Sequence, residues 1–251
     1  MNLSNAVRTA TIYDMKGYGQ FCPVAKTAEV FAQRWTPLLV RELCFGPKRF
    51  SELHSGVPSM SRALLVQRLA ELEEAGVVAT EPMAQGKLYR LTPAGESLRD
   101  IIVLMSSWGQ RYGQGRLGPA DMDPTMLVWS MKRQIDPCQL PDRDIVLRLE
   151  FRGLPKAQAA RRYWWIILRP DDVEVCFKAP DCEVDVVIAA DLEALIRVWM
   201  GYAGLAGASQ AGAVSLNGDP MLVRAVKRIL GLADEPHHRP LTFQPHAAVA
   251  A

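Results

Sequence analysis

The run Gly113-Gln114-Gly115-Arg116-Leu117-Gly118-Pro119 constrains this chain more than any other segment, because three glycines and a proline in seven residues break a helix or a strand. It divides 251 residues into two lengths that can each bury a core. The expected class is α+β in two domains. The expected organisation is an arm over 1–20, a first domain over 21–114, a linker over 115–120, a second domain over 121–234 and a flexible tail over 235–251. Pro236, Pro240 and Pro245 punctuate that tail, which carries no periodic apolar pattern.

Composition narrows the function. Hydrophobic residues make 49% and charged residues 22%, the balance of a globular chain. Apolar runs such as Ile101 to Met105 are far below the roughly 18 residues of a membrane span, and the first residues lack the apolar core of a secretion signal. A cytoplasmic protein without a membrane partner is expected. Five cysteines, Cys22, Cys44, Cys138, Cys176 and Cys182, contain no CxxC pair. Three of four histidines, His237, His238 and His246, fall in the tail, and His54 stands alone in a polar turn. With no Ser/His/Asp order, phosphate-cradling glycine loop or ligand-spaced cluster, no catalytic residues, metal or cofactor are expected. The formal charge of +2 means that any nucleic-acid contact rests on local clusters.

The first half reads as helices, a hairpin and a long helix. Val24, Ala28, Phe31 and Trp35 share one helical face. Thr36-Pro37 opens a second helix that Gly46-Pro47 stops, and a short third helix covers Phe50 to His54. After the turn Gly56-Val57-Pro58-Ser59, a helix from Ser59 or Ser61 to Ala75 gathers Leu65, Leu69 and Leu72 on one face and Arg62, Ala63, Val66 and Gln67 on the other. Strands over Val77–Glu81 and Lys87–Leu91 follow, joined by Met83 to Gly86. Helix, turn, helix, hairpin is the order in which a second helix enters the major groove. There Arg62 suits guanine, Gln67 adenine and Val66 a thymine methyl, while Ser61 reaches a phosphate or a base. Arg68 sits at the flank, where it meets phosphate or packs its stem. Lys48 and Arg49, at the start of the bracing helix, and Lys87, at the hairpin tip, would add phosphate contacts. The plainer alternative is a solvated helix face. Pro93 opens a last helix whose Leu98, Ile101, Met105, Trp108 and Tyr112 form a heptad-like stripe, the seam of a homodimer or a face packed on its own domain.

The second half alternates from Ile145: Ile145, Leu147, Leu149 and Phe151 on one face, Arg148, Glu150 and Arg152 on the other. Tyr163–Arg169, Val173–Lys178, Val184–Ala189 and Val214–Leu216 read as further strands. Helices are expected over Pro124–Ile135, after Asp191 and after Asp219-Pro220, and the second carries the broad apolar face Leu192, Leu195, Ile196, Trp199 and Met200. Met126, Trp129, Ile196, Trp199, Met200, Tyr202 and Leu205 either line a pocket or form ordinary core.

Residues 22 to 112 resemble the HxlR-type winged-helix regulators, relatives of the MarR regulators. The match rests on Cys22-Pro23-Val24, Arg34 to Leu39, Arg49 to Leu53, Ser61 to Gly76 and Tyr89 to Gly95. The resemblance implies a homodimer on double-stranded operator DNA, with the N-terminal helix, through Val24 and Phe31, and the long last helix forming the dimer. Thr80 stands where that family usually has an arginine, and the wing is shorter and less basic, so modest DNA affinity is expected. Cys22 occupies the place where several members sense oxidants or electrophiles, and a helix N-terminus favours a thiolate. The alternative is an N-cap cysteine with no sensing role. Residues 121 to 234, through Val184 to Leu192 and Ala211 to Asp219, resemble the sterol-carrier-protein-type lipid-binding fold. That resemblance implies a hydrophobic tunnel for an acyl chain or another apolar molecule.

The joint expectation is a dimeric DNA-binding transcriptional regulator, not an enzyme, whose C-terminal domain senses a hydrophobic small-molecule effector. The rivals are a thiol switch acting through Cys22 and a lipid carrier whose helical domain mediates protein contacts.

Overall fold

The computed structural model describes residues 17–113, 118 and 121–243. The expected arm over 1–20, apart from 17–20, and the expected linker, apart from Gly118, lie outside the described residues, as does the tail beyond 243. Two compact units divide between Ile102 and Val103.

In the first unit α1 (Pro23–Phe31), α2 (Thr36–Cys44), α3 (Phe50–Gly56) and α4 (Arg62–Glu74) precede the wing. The wing joins β1 (Lys48–Arg49), β2 (Val78–Pro82) and β3 (Lys87–Leu91) in the order β1-β3-β2, with Lys48 and Thr80 both opposite Tyr89. Leu39, Leu43, Leu53, Met60, Leu65, Leu69 and Leu72 are buried together with Val78 and Leu91. Two expectations change here. The face through Trp35 is not continuous, because α1 ends at Phe31 and Trp35 adopts a left-handed φ of 79° as the N-cap of α2. Pro93 opens only α5 (Pro93–Glu96); α6 (Arg99–Tyr112) starts afresh. Arg99 Nη1 donates to Cys44 O at 2.9 Å, tying the new helix start to the end of α2.

The second unit contains α6 from Val103 onward, α7 (Pro124–Gln134), β4 (Ile145–Arg152), β5 (Tyr163–Leu168), β6 (Val173–Cys176), β7 (Val186–Asp191), α8 (Leu192–Trp199), α9 (Leu205–Gln210), β8 (Val214–Gly218) and α10 (Pro220–Leu230). The sheet runs β6-β5-β4-β7-β8, antiparallel except for the central β4·β7 pair, in which Leu147 faces Val186. Alternation along β4 places Ile145, Leu147, Leu149 and Phe151 in one core with Leu127, Val128 and Met131 of α7, Leu195, Ile196 and Trp199 of α8, and Val226, Ile229 and Leu230 of α10. Asp219 caps α10 by accepting from Met221 N and Leu222 N. Asp191 precedes α8 but gives no side-chain cap bond; its carboxylate takes Arg152 Nε at 2.9 Å.

The expected flexible tail is corrected over its first residues. Leu205 N donates to Ala233 O and His237 N to Gly201 O, and Arg239 bonds Gln134 Oε1, Gly231 O and Leu230 O while its guanidinium lies 3.4 Å from the Trp199 ring centroid. This strap caps the C-terminus of α10 with a cation, where the helix dipole favours one. Burial pulls the Arg239 guanidinium down to about 10, and three carbonyl oxygens with an indole face hold the charge in return.

Candidate nucleic-acid interface and ligand domain

The helix-turn-helix is built by local signals. His54 Nε2 lies 3.1 Å from Met60 O, and Met60 N donates to Val57 O, so the turn between α3 and α4 is closed on itself. Ser61 is the N-cap of α4, its hydroxyl accepting from Leu64 N at 3.3 Å. His54 is therefore part of α3 and the turn, not a solitary residue in a polar loop.

With Leu65, Leu69 and Leu72 packed inward, Arg62, Ala63, Val66 and Gln67 are exposed on the opposite face, Val66 at 58%. Two neighbours are engaged within the helix. Gln67 Nε2 donates to Glu71 Oε1 at 2.8 Å, and Arg68 forms an ion pair with the other oxygen of the same carboxylate. Arg68 is the flank residue, its stem half-buried. Lys48 and Arg49 form the short β1 at the start of the bracing helix, where Arg49 is the N-cap of α3 and its N–H donates to Glu52 Oε2 at 2.7 Å. Lys87 begins β3 at the exposed end of the wing. Beside it Arg90 pairs with Glu81 at 2.5 Å within the wing, and Thr80 donates to Glu73 of α4 at 2.6 Å, so part of the wing's polar surface is already engaged.

Cys22 is half-buried at the N-cap of α1 and makes no side-chain cap bond. The thiol-switch reading is not favoured; Lys26, one turn into α1, pairs with Glu29 at 3.0 Å. Cys44 is buried core, and burial pushes its thiol up to about 11.

Of the residues expected at a dimer seam, Ile101, Met105, Trp108 and Tyr112 are exposed on α6, Trp108 at 58%, and Trp108 stacks obliquely on Tyr112 with centroids 5.5 Å apart. Leu98 is partly buried just before α6. Sequence periodicity missed Leu104, which is also exposed and sits beside Met105 and Trp108 on that face. Val24 is 76% exposed, but Phe31 is corrected: it is buried within its own unit because α1 turns its other face, Ala25 and Phe31, inward.

The residues expected to line a pocket are not brought together. Ile196, Trp199 and Leu205 belong to the packed core, with Met200 against it. Trp129 is half-exposed with Lys132 Nζ 5.6 Å from its ring centroid, and Met126 is likewise partly exposed. Tyr202 lines a cleft elsewhere, and burial raises its phenol above the ordinary value. Among the described residues no group of three or more His, Cys, Asp or Glu could hold a metal ion, and no helix is long and apolar enough to cross a membrane.

A capped helix exposed opposite a leucine face, preceded by a closed turn and followed by a hairpin, defines a winged helix-turn-helix DNA-binding domain. Residues 30–116 match the HxlR-like helix-turn-helix family and residues 144–231 the SCP-2 sterol transfer family. The uncharacterized HTH-type transcriptional regulator YdeP of Bacillus subtilis (strain 168) is 35% identical over 94 residues, 36% of this chain and 73% of that protein. YvaP, another uncharacterized HTH-type regulator of that organism, is 33% identical over 97 residues, 37% of this chain and 90% of its own length. A solved putative MarR-family regulator from Porphyromonas gingivalis W83 is 28% identical, covering 37% of this chain and 94% of that chain at a TM-score of 0.36. The chain belongs to the HxlR-like helix-turn-helix family, and is a transcriptional regulator of the helix-turn-helix type that also carries an SCP-2 domain.

Proposed function

We propose that the protein is a cytoplasmic homodimer that binds operator DNA through α4 and answers to a hydrophobic small molecule taken up by its SCP-2 domain. One observation carries the reading: the face of α4 opposite its buried leucines presents Arg62, Ala63, Val66 and Gln67 to solvent. Those side chains suit base edges in a major groove, with Ser61 at the helix start and Arg49, Lys48 and Lys87 toward phosphates. The exposed face of α6 supports pairing of two copies, which would set two recognition helices on a two-fold operator. An effector acts only if it binds the DNA-competent and DNA-incompetent forms with different affinity.

The test is fluorescence anisotropy of the full chain on labelled DNA from upstream of its own gene and on a scrambled control, across a salt series. A specificity ratio that survives at physiological salt is expected. Equal binding to both DNAs that salt erases would refute sequence readout by α4.

A further inference from the structure

The second unit holds a cleft whose polar groups are left incomplete. The strap at Pro236–His238 crosses the loop after α8 so closely that a Cβ on Gly201, whose φ is 73°, would lie 2.1 Å from His237 O. Only glycine allows that crossing. From α6, Gln110 Nε2 donates to Met200 O at 2.6 Å. Between these contacts lies a space of about 630 Å³, bounded by Ser107, Gln110 and Arg111 of α6, the Gly201–Tyr202 loop and the strap. That volume falls within the range of small-molecule sites, roughly 300–1,000 Å³.

Gln110 is only 6% exposed, yet its Oε1 has no hydrogen-bond partner, and neither has the buried His237 Nδ1. The amide orientation is fixed by chemistry: Met200 O can only accept, so the NH₂ group faces it and the carbonyl oxygen is the orphan. Buried polar groups without partners are rare in folded proteins, and both of these belong to residues that line the cleft, where a small side-chain shift lets a bound molecule complete the bonding. An oxygen that only accepts selects a donor. The Tyr202 phenol and the Ser107 hydroxyl can donate or accept, while Pro236 and the Tyr202 ring offer apolar surface.

We propose that this cleft binds an amphipathic small molecule through a hydroxyl or N–H donor directed at Gln110 Oε1. The inference deepens the effector reading given above and rests on it for the consequence on DNA, though not for binding itself. It places the ligand against the last turns of α6, whose exposed side carries Trp108 and Tyr112.

A matched pair of probes tests it on the full chain, with ligand fluorescence as the readout: 1-naphthol, which donates a phenolic O–H, and 1-methoxynaphthalene, which cannot. Naphthol is expected to bind roughly fivefold to tenfold more tightly, the worth of one hydrogen bond to a buried acceptor. Gln110→Met should erase that preference. Ser107→Phe, which leaves the Gln110–Met200 bond in place and fills the cleft, should abolish binding of both probes. Equal affinities in the wild type, no binding by either probe, or a preference that persists in Gln110→Met overturns the site. Naphthol binding that leaves operator affinity unchanged upholds the site and refutes effector sensing through it.

Discussion

Removing Glu71 is expected to improve DNA binding while costing little stability. In the free protein one carboxylate restrains two side chains of α4, accepting from Gln67 Nε2 at 2.8 Å and pairing with Arg68. A partly exposed ion pair one turn apart contributes about 0.3–0.5 kcal/mol, and the amide bond about as much. Alanine returns roughly 0.4 kcal/mol of helix propensity. The net loss in Glu71→Ala is therefore about 0.5 kcal/mol, a fall in Tm of roughly 2–4 °C for a domain of about 100 residues. On DNA the balance reverses. Deleting a negative charge some 10 Å from a phosphate relieves about 0.4 kcal/mol in water before screening. Releasing Arg68 to a phosphate steepens the dependence of log K on log salt by about 0.9. A fourfold reduction in salt should then strengthen the variant about 3.5-fold more than the wild type. Anisotropy salt series on both proteins measure the slope, and a thermal melt measures the cost. A variant with the slope and affinity of the wild type would show that neither Gln67 nor Arg68 takes part in DNA contact.

Three further outcomes follow from the same geometry. Trp108→Glu puts a charge into the exposed α6 face and should leave the fold within about 0.5 kcal/mol while giving a monomer with weakened operator binding; sedimentation that still shows a dimer would move the interface elsewhere. Arg239→Met keeps packing over Trp199 but strips the carbonyls of Gly231 and Leu230 of their donor, at about 2 kcal/mol after the relief of burying a charge, read by urea denaturation of the full chain. The thiol of Cys44, pushed by burial from about 9 to about 11, contributes stability that is complete below pH 9 and lost as pH rises toward 11, because only the unfolded chain ionises in that window. Iodoacetamide at pH 8 should accordingly label the exposed Cys138 and Cys182 and spare Cys44 until the chain unfolds.

Sequence alone determined what depends on neighbours a few positions away. The 3.6-residue spacing of Leu65, Leu69 and Leu72 fixed which face of α4 is buried, and with it which face is free. Strict alternation from Ile145 fixed the inward side of β4, and the caps at Ser61 and Asp219 fixed where α4 and α10 begin. Tertiary structure decided whatever depends on partners far along the chain. Nothing local to Pro236–Arg239 signals order; that segment is held because Arg239 meets Gln134, 105 positions away, and because a glycine at 201 lets His237 pass. Gln110 reads in sequence as one more polar residue on a helix, and only its bond to Met200, 90 positions away, buries it and leaves its carbonyl unmet. Phe31 and Trp35 share a helical spacing, yet the left-handed turn at Trp35 ends the face between them. Periodicity reports the geometry of one element, whereas burial and hydrogen-bond satisfaction belong to pairs of elements, and the pairing exists only once the chain has folded.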